Sequence, residues 1–416
     1  METPLFTNPA VVLGILLVIL AAVFVTSDSE RPYFKKFYAY VPPLLLCYFV
    51  PSVFATAGVI ADEEGRLYAV ASRYLLPASL VLLTLSLDLK AIARLGPKAV
   101  VMFLAGTVSI ILGGPLALLV VSAVSPETVG GAGPDAVWRG LSTIAGSWIG
   151  GGANQTAMRE VYQPSDALFS VMIAVDVLVA NVWMACLLFA AGRADRIDRW
   201  TGADTTAIKD VQRRVEEYRA SVSRMPRLTD TIVILAIGFG ITAVAHAGAD
   251  FLSPLIQTRA PYLTPYSLGD RFFWIVVIAT TGGMLLSASR RVRALEGVGA
   301  SRIGSVLLYV LIATIGMRMN ILAVFALPGL FIVGLLWMTV HAVVMLVTAY
   351  LIKAPTFFMA VGSQANVGGA ASAPAVASAF HPSLAPVGVL LAVLGYALGT
   401  YGGWVTGQLL RIVAGE

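Results

Sequence analysis

The residues with the clearest capacity for chemistry are polar groups inside otherwise apolar segments. Asp176 lies near the middle of the apolar run 165–191, where an ionised carboxylate is costly unless it is paired, hydrated or protonated. We expect such a carboxylate to couple an ion or to contact a polar solute. The alternative is a protonated Asp176 hydrogen-bonded between helices. Asn181 lies five residues later, off the strict helical face of Asp176, and is a secondary candidate.

Two further segments, 137–163 and 355–380, are apolar but interrupted by glycine and polar residues. Glycine permits tight turns, freed carbonyl groups can coordinate Na⁺, and the N-termini of half-helices can face an anion. Hard oxygen donors suit an alkali cation or a polar solute better than a transition metal. The candidates in the first segment are Ser147, Gly150, Gly151, Gly152, Asn154, Gln155 and Thr156. Those in the second are Ser363, Gln364, Asn366, Gly368, Gly369 and Ser372. The alternative is that small residues merely let helices pack closely.

Other reactive residue types have simpler interpretations. His341 could move protons, although a lone membrane histidine more often makes an interhelical hydrogen bond. Cys47 and Cys186 both lie in apolar runs, which indicates buried thiols and neither a disulfide framework nor a metal site. We assign Arg159 and Glu160 to the interface near the end of the first glycine-rich segment. The sequence has no H-E-x-x-H, Walker A or C-x-x-C motif, so we expect neither an enzyme nor a cofactor other than a possible sodium ion.

The composition requires a lipid environment. Hydrophobic residues make up 58% of the 416 positions and charged residues only 12%, far from the values of a soluble domain. Segments that cross the hydrocarbon core must be helical because the backbone has to satisfy its own polar groups there. We therefore predict an all-α polytopic membrane protein in the lipid bilayer. The candidate spans are 9–26, 37–60, 67–87, 98–124, 165–191, 229–249, 271–289, 301–317, 321–352 and 384–410.

The charged loops predict a topology. The net charge of +5 lies in loops beside apolar runs, so it reports orientation and indicates no nucleic-acid partner. The basic loops predicted to be cytoplasmic are 27–36, 90–98, 192–228 and 290–293. The loops 62–64 and 125–136 are acidic and are predicted to lie outside.

The number of membrane crossings conflicts with the loop charges unless the first glycine-rich segment fails to cross. If residues 137–163 crossed the membrane, the basic stretch 192–228 would lie outside, against its charge. A segment that enters and leaves on one side removes the conflict, and arms of about ten residues reach about 15 Å, or mid-bilayer. The same reasoning makes 355–380 a re-entrant hairpin from the cytoplasmic side. It also leaves the C-terminus outside beside Arg411, a weak violation of the rule.

The two halves of the chain resemble each other. The stretch AGSWIGGGANQTA (145–157) is similar to VGSQANVGGAASAP (361–374), and equivalent loops carry opposite charge. We predict inverted repeats of five spans plus one hairpin, in residues 1–191 and 229–416. Chance similarity of glycine- and alanine-rich segments is the alternative.

The stretch 192–228 joins these two halves on the cytoplasmic side. A spacing of three and four residues predicts an amphipathic helix on the membrane surface, and the alternative is a flexible tether. The apolar residues with this spacing are Ile208, Val211, Val215, Tyr218 and Val222.

These motifs resemble the YjcL-like family of bacterial membrane proteins, a family of unknown function (DUF819), over most of the chain. More distantly, the paired hairpins and the linker are similar to the sodium-coupled glutamate and citrate symporters. The hairpins of those symporters carry a GGxGG-type motif, which residues 150–152 and 368–369 only approximate, so no substrate can be carried over. The resemblance implies a multi-pass protein of the bacterial plasma (inner) membrane.

Our leading hypothesis is a cation-coupled secondary transporter of a small polar or anionic solute, working by alternating access. The hairpins and the helices after them would move against a scaffold that forms a homodimer. We favour Na⁺ over H⁺ because the hairpin tips are rich in neutral oxygen donors. The alternatives are a cation/proton antiporter that uses Asp176, and a non-transporting membrane receptor or scaffold. An intramembrane enzyme is disfavoured because Asp176 has no evident catalytic partner.

Overall fold

The computed structural model describes residues 4–38, 41–62, 65–203, 226–319 and 327–416. Over these residues the regular secondary structure is helical, and one isolated bridge joins Phe6 and Ile60. The residues predicted to form the amphipathic linker helix lie outside the described ranges.

The first half of the chain contains α1 (Pro9–Ser27), α2 (Pro32–Tyr38), α3 (Pro43–Thr56), α4 (Arg66–Val70), α5 (Leu76–Thr84), α6 (Leu89–Arg94), α7 (Pro97–Val124), α8 (Pro126–Val129), α9 (Val137–Tyr162), α10 (Asp166–Ala191) and α11 (Ala194–Thr201). The second half contains α12 (Leu228–Arg259), α13 (Arg271–Ser287), α14 (Arg290–Arg293), α15 (Ala300–Gly316), α16 (Gly329–Leu351), α17 (Thr356–Val367), α18 (Gly369–Phe380) and α19 (Ala385–Val413). A π-helical turn, Ala71–Leu75, joins α4 to α5.

The starts of the helices follow from local chemistry. Proline occupies the first turn of α1, α3 and α7, where its missing N–H would have no intrahelical partner. The side chains of Ser165 and Asp270 accept hydrogen bonds from the first turns of α10 and α13. Ser165 lies between the end of α9 at Tyr162 and the start of α10 at Asp166.

The lengths of the helices fit a polytopic membrane protein. In the described part of the chain, seven helices are long and apolar enough to cross a membrane, or up to nine if each bent helix pair is one span. The bent pairs are α2 with α3, at 88°, and α13 with the segment Arg290–Val298, at 101°. α15 is apolar but has only 17 residues.

The helices pack as two groups. In the flanking bundle (α1, α3, α5, α12, α13 and α15), α5 contacts α12, α13 and α15, while α15 also contacts α1 and α3. In the hairpin core (α7, α9, α10 and α16 to α19), α19 packs against α9, α17 and α18, and α7 packs against α16 and α17. α19 also contacts α5 and α13, so it joins the two groups.

The loops meet at two opposite ends of the helix bundle. At the upper end, Leu5 N donates to Gly58 O at 2.9 Å and Trp404 Nε1 donates to Tyr266 O at 2.9 Å. Also at this end, a Cβ atom on Gly329 would lie 2.6 Å from Thr128 Cγ2.

The lower end gathers the other loops. There Arg293 pairs with Asp88 at 3.2 Å, and Lys98 Nζ donates to Lys353 O at 3.1 Å. The described parts of the loops that their charge predicted to lie outside are at the upper end, and those of the predicted cytoplasmic loops are at the lower end.

Candidate functional site

α9 folds back on itself at two glycines. Gly150 (φ −141°, ψ 16°) and Gly151 (φ 72°, ψ −175°) have non-helical backbone. A Cβ atom on Gly146 would lie 2.8 Å from the Met158 side chain, whereas twelve residues of straight helix span about 18 Å. Arg139 Nη1 donates to Tyr162 O at 2.8 Å, so the two ends of the element also meet. We call this antiparallel pair of arms the first hairpin.

α17 and α18 form a second pair of arms. The break lies at Gly368 and Gly369, the latter with φ 58°. Gln364 Nε2 donates to Ser372 Oγ across the break at 2.7 Å. The arms therefore fold back on each other, and we call them the second hairpin.

The bases of the hairpins lie at opposite ends of the bundle. The first hairpin begins and ends at the upper end, where Ser165 N donates to Pro134 O at 2.8 Å. The base of the second hairpin closes with the rings of Phe357 and Phe380, 5.3 Å apart. This base is at the lower end, where Asp198 Oδ1 accepts from the backbone N of Thr356 at 2.8 Å.

The two glycine breaks meet inside the hairpin core. A Cβ atom on Gly369 would lie 3.7 Å from Gly151 Cα. α19 supports this meeting point with glycine as well, since a Cβ atom on Gly399 would lie 2.7 Å from Gly150 Cα. On Gly395 a Cβ atom would lie 2.7 Å from the carbonyl oxygen of Ile149 and 3.2 Å from that of Ala365. Backbone oxygens from both hairpins thus converge on one spot of α19.

Asp176 is enclosed by donors from the first hairpin. Ser147 Oγ and Gln155 Nε2 donate to its Oδ2 at 2.7 and 2.8 Å, and Trp148 Nε1 donates to Oδ1 at 2.7 Å. The residue is 4% exposed. Ser147 and Trp148 lie on the first arm and Gln155 on the second, so this carboxylate ties both arms to α10. Charge-assisted hydrogen bonds of this kind are stronger than neutral ones.

Asn154 makes three contacts just beyond the first break. Its Nδ2 donates to Gly150 O at 3.0 Å and to Tyr396 O at 3.1 Å. Its Oδ1 accepts from Thr400 Oγ1 at 2.7 Å. Because Tyr396 and Thr400 are four residues apart on α19, the amide lies across one turn of that helix.

Asn366 repeats the same pattern in the second hairpin. Its Nδ2 donates to Gly362 O at 3.0 Å and to Phe103 O at 2.9 Å, while its Oδ1 accepts from Thr107 Oγ1 at 2.8 Å. Phe103 and Thr107 are again four residues apart, here on α7. Each hairpin is therefore fixed by one asparagine to one turn of a neighbouring helix.

Ser363 of the second hairpin contacts a buried histidine. His341 Nε2 lies 2.7 Å from Ser363 Oγ, and its Nδ1 lies 2.7 Å from Ser109 Oγ. Trp183 Nε1 donates to Ser363 Oγ at 2.7 Å, and Ser109 donates its proton to Gly106 O at 2.7 Å. A neutral imidazole that donates from Nδ1 and accepts at Nε2 satisfies every member of this chain.

Gln364 is the candidate with a free acceptor. It is 2% exposed, and its Oε1 has no hydrogen-bond partner within the described residues. The second break is immediately beside it, since a Cβ atom on Gly368 would lie 2.2 Å from Gln364 Nε2. A buried oxygen without a partner costs free energy, so it marks a place where a cation or a polar solute would be favourable.

Two predicted site residues have only local partners. Asn181 Nδ2 donates to Val177 O of its own helix at 2.7 Å. Thr156 Oγ1 lies 2.9 Å from both Gly152 O and Ala153 O. Neither side chain is brought to the breaks by a described hydrogen bond.

Arg159 differs from the interfacial placement that we predicted. It does lie near the end of the first hairpin, but it is 5% exposed. Its guanidinium binds the Tyr68 hydroxyl and pairs with Asp166 at 2.5 Å. Asp166 also pairs with Arg318 at 3.2 Å. This network ties the hairpin core to the start of α4 and the end of α15 at the upper end.

Several partners in these contacts were missed from the sequence, namely Phe103, Thr107, Ser109, Trp148, Trp183 and Thr400. Trp148 was detectable, because it lies inside the quoted glycine-rich motif. The others are single polar or aromatic residues in long apolar helices.

Comparison with known proteins assigns the chain to a wider group. The profile of a family described as "Protein of unknown function (DUF819)" matches residues 14–413. The chain is also similar to the "Uncharacterized membrane protein YjcL" of Bacillus subtilis (strain 168), with 24% identity over an alignment of 371 residues. The match covers 86% of this chain and 86% of the relative.

Proposed function

Because the chain belongs to the DUF819 family of proteins of unknown function, we propose its function from the site: a cation-coupled secondary transporter of a small polar or anionic solute. The observation that carries this proposal is the meeting of two broken helical hairpins from opposite ends of the bundle. Non-helical backbone at membrane depth is tolerated where it is buried in protein or lines a cavity or an ion path. Discontinuous helices near the bilayer midplane are a recurrent way to build a transport site.

The contacts between helices support an inverted repeat. α5 of the first half packs against α12 and α13, while α15 of the second half packs against α1 and α3. This exchange of partners is what a two-fold axis in the membrane plane would produce. We propose residues 1–191 and 229–416 as the two repeats, with the hairpins re-entrant and the upper end facing outside a bacterial plasma membrane.

Sodium is the coupling ion that we propose. The carbonyl groups of Ile149 and Ala365 converge at Gly395, and Gln364 Oε1 has no described partner. These are neutral, hard oxygen donors, which suit an alkali cation. We assign the binding of ion and solute to the two breaks and to the candidate residues beside them.

Alternating access would then involve movement between the hairpin core and the flanking bundle, which we propose as the dimerising scaffold. The upper end is held by Arg159 against Tyr68 and by Arg318 against Asp166. We propose that this network is the outer gate and that it separates when the upper side opens.

The test begins with the cysteine variant Gly152→Cys, because a side chain at this position meets nothing within 4 Å. Cys186 is replaced by serine, and Cys47 is fully buried. In proteoliposomes, we expect Na⁺ to slow labelling of Cys at position 152 relative to K⁺ at equal ionic strength. Ala132→Cys, in an exposed loop at the upper end, is the control and is expected to label at one rate in both salts.

Transport itself is measured next. A thermal-shift screen of the purified protein identifies solutes that raise the unfolding temperature, since binding to the native state stabilises it. Uptake of those solutes is then followed in proteoliposomes under a Na⁺ gradient or a pH gradient. If neither gradient drives uptake of any stabilising solute, and Na⁺ leaves labelling at position 152 unchanged, the proposal is wrong.

The antiporter alternative assigns Asp176 to ion exchange, whereas the transporter proposal does not. We propose a positioning role for this carboxylate, because its described hydrogen bonds all go to the first hairpin. The antiporter would need no organic solute and would exchange Na⁺ for H⁺ through this group. Exchange that is observed without solute and abolished by Asp176→Asn in a folded protein would favour the antiporter.

A further inference from the structure

A pocket at the upper end lies apart from the glycine breaks. It has a volume of about 350 Å³ and is bordered by the base of the first hairpin, the end of α19 and the loop before α13. An arm of about ten residues, or about 15 Å, separates this base from the break. The wall residues that matter for its chemistry are Trp138, Arg139, Tyr162, Asp270, Arg411 and Glu416.

Buried donors without partners are concentrated at this pocket. Of the seven buried side-chain atoms that lack a hydrogen-bond partner in the described residues, three belong to its wall: Trp138 Nε1, Arg139 Nε and Arg411 Nε. All three are N–H donors. An unsatisfied buried donor is costly and uncommon, so three together indicate an acceptor that the protein itself does not supply.

The two guanidinium groups are fixed by their other contacts. Arg139 donates from Nη1 to Tyr162 O at 2.8 Å and lies 4.7 Å from the centroid of the Trp138 ring. Arg411 donates from Nη1 to Pro265 O and lies 5.1 Å from the centroid of the Tyr266 ring. In each case the edge containing Nε has no described partner. That edge of a guanidinium is suited to bidentate binding of a carboxylate or phosphate.

Two carboxylates in the wall limit the charge of a ligand. Asp270 accepts from Phe273 N at 2.8 Å and so caps α13, while Glu416 is exposed. Among the described residues, neither carboxylate forms an ion pair with Arg139 or Arg411 within 4.0 Å. A single oxyanion group therefore matches the pocket better than a polyanion.

We propose that this pocket binds one oxyanion group, a carboxylate or a phosphate, through Arg139, Arg411 and Trp138. The group can belong to a free solute or to the headgroup of an anionic lipid, because the chemistry of recognition is the same. The site is separate from the hairpin breaks and does not depend on the transport proposal.

The experiment measures the unfolding midpoint of the purified full chain in detergent. The probes are inorganic phosphate, acetate and short-chain phosphatidylglycerol. Chloride at equal ionic strength and short-chain phosphatidylcholine are the controls. We expect a saturable rise of the midpoint with at least one probe. Trp138→Phe keeps an aromatic side chain and every charge but removes the indole N–H donor, and we expect it to weaken the apparent affinity about tenfold.

Two arginine variants complete the test. Arg411→Gln is expected to abolish the saturable rise, while Arg259→Gln, which removes a charge at the same end outside the pocket, is expected to retain it. A response to phosphate or acetate alone identifies a free solute, and a response to phosphatidylglycerol alone identifies a lipid headgroup. If no probe exceeds its control, or if Trp138→Phe and Arg411→Gln respond like the wild type, the proposal is overturned.

Discussion

The two hairpins share an asparagine contact but have different polar anchors. Asn154 and Asn366 each lie across one turn of a neighbouring helix, with the same three hydrogen bonds. A further anchor of the first hairpin, inside the bundle, is the Asp176 carboxylate, which accepts from both arms. The corresponding anchor of the second hairpin is the neutral ring of His341, which contacts one arm only.

The first hairpin is also more buried than the second. In the first hairpin both arms are largely buried, and Arg159 ties the return arm to Tyr68. In the return arm of the second hairpin, Ala375 and Ala379 are exposed and Ser372 is only partly buried. This difference indicates that the first hairpin is anchored more firmly within the hairpin core and that the second rearranges there at lower cost.

The largest expected effect comes from Asp176→Asn. The substitution places an amide NH₂ against donors and removes the charge that strengthens three hydrogen bonds, so we expect a loss of about 4 kcal/mol in unfolding free energy. Thermal or denaturant unfolding in detergent measures it. Asp195→Asn, at an exposed carboxylate in α11, is the control and is expected to change little. His341→Gln is expected to cost less than Asp176→Asn; an equal or larger cost would remove the distinction between the anchors.

Equal effects are expected from Asn154→Leu and Asn366→Leu. Each removes the hydrogen bonds that the asparagine makes to one threonine hydroxyl and to two backbone carbonyl groups, at a cost of about 2 to 3 kcal/mol. The double variant should show additive losses if the two contacts are independent. If only one of the two variants lost unfolding free energy, the two asparagines would contribute unequally to stability despite their matching hydrogen bonds.

A smaller effect is expected at the first break itself. Gly151 has φ 72° and ψ −175°, a region that only glycine adopts readily, so Gly151→Ala should cost about 2 kcal/mol. Gly152→Ala is the matched control, because its Cβ would meet nothing within 4 Å. The unfolding midpoints of the two variants measure this difference in stability. Similar values for both would mean that the chain is not broken at position 151.

The smallest effect on stability is expected from Arg318→Gln. The Arg318 side chain is 43% exposed, and an ion pair of this kind contributes under about 1 kcal/mol. We instead expect faster thiol labelling from the upper side in a Gly152→Cys background, because one tie of the proposed outer gate is lost. Arg259→Gln in the same background should leave the rate unchanged. An unchanged rate in Arg318→Gln would exclude this residue from the gate.

The sequence predicted much of this arrangement because two independent patterns constrain it. Loop charges and the number of crossings required segment 137–163 to return to the side it came from, and the same reasoning was extended to 355–380 despite the charge of Arg411. Both segments are antiparallel hairpins. Glycine clusters located the breaks, although Gly152 is beyond the turn and has ordinary helical surroundings.

The partners of the hairpins could not be predicted in the same way. Thr107, Ser109 and Thr400 lie on long apolar helices, and hydropathy does not tell which face of such a helix meets a hairpin. The orientation of each helix toward the hairpin is fixed by packing between residues more than two hundred positions apart, as in the hydrogen bond from Thr107 to Asn366. The burial of Arg159 was missed for a similar reason, since its partner Tyr68 belongs to the flanking bundle.

Cross-linking of the two breaks tests the central claim most directly. In a background without Cys186, the pair Gly152→Cys and Gly369→Cys is treated with a short bifunctional thiol reagent. A protease site inserted between α11 and α12 then separates the halves on a gel. We expect the halves to stay joined. In the control pair, Gly152→Cys is combined with Ala379→Cys at the far base of the second hairpin, and we expect the halves to separate. Separation of the first pair, or joining of both pairs alike, would contradict the meeting of the hairpins inside the bundle.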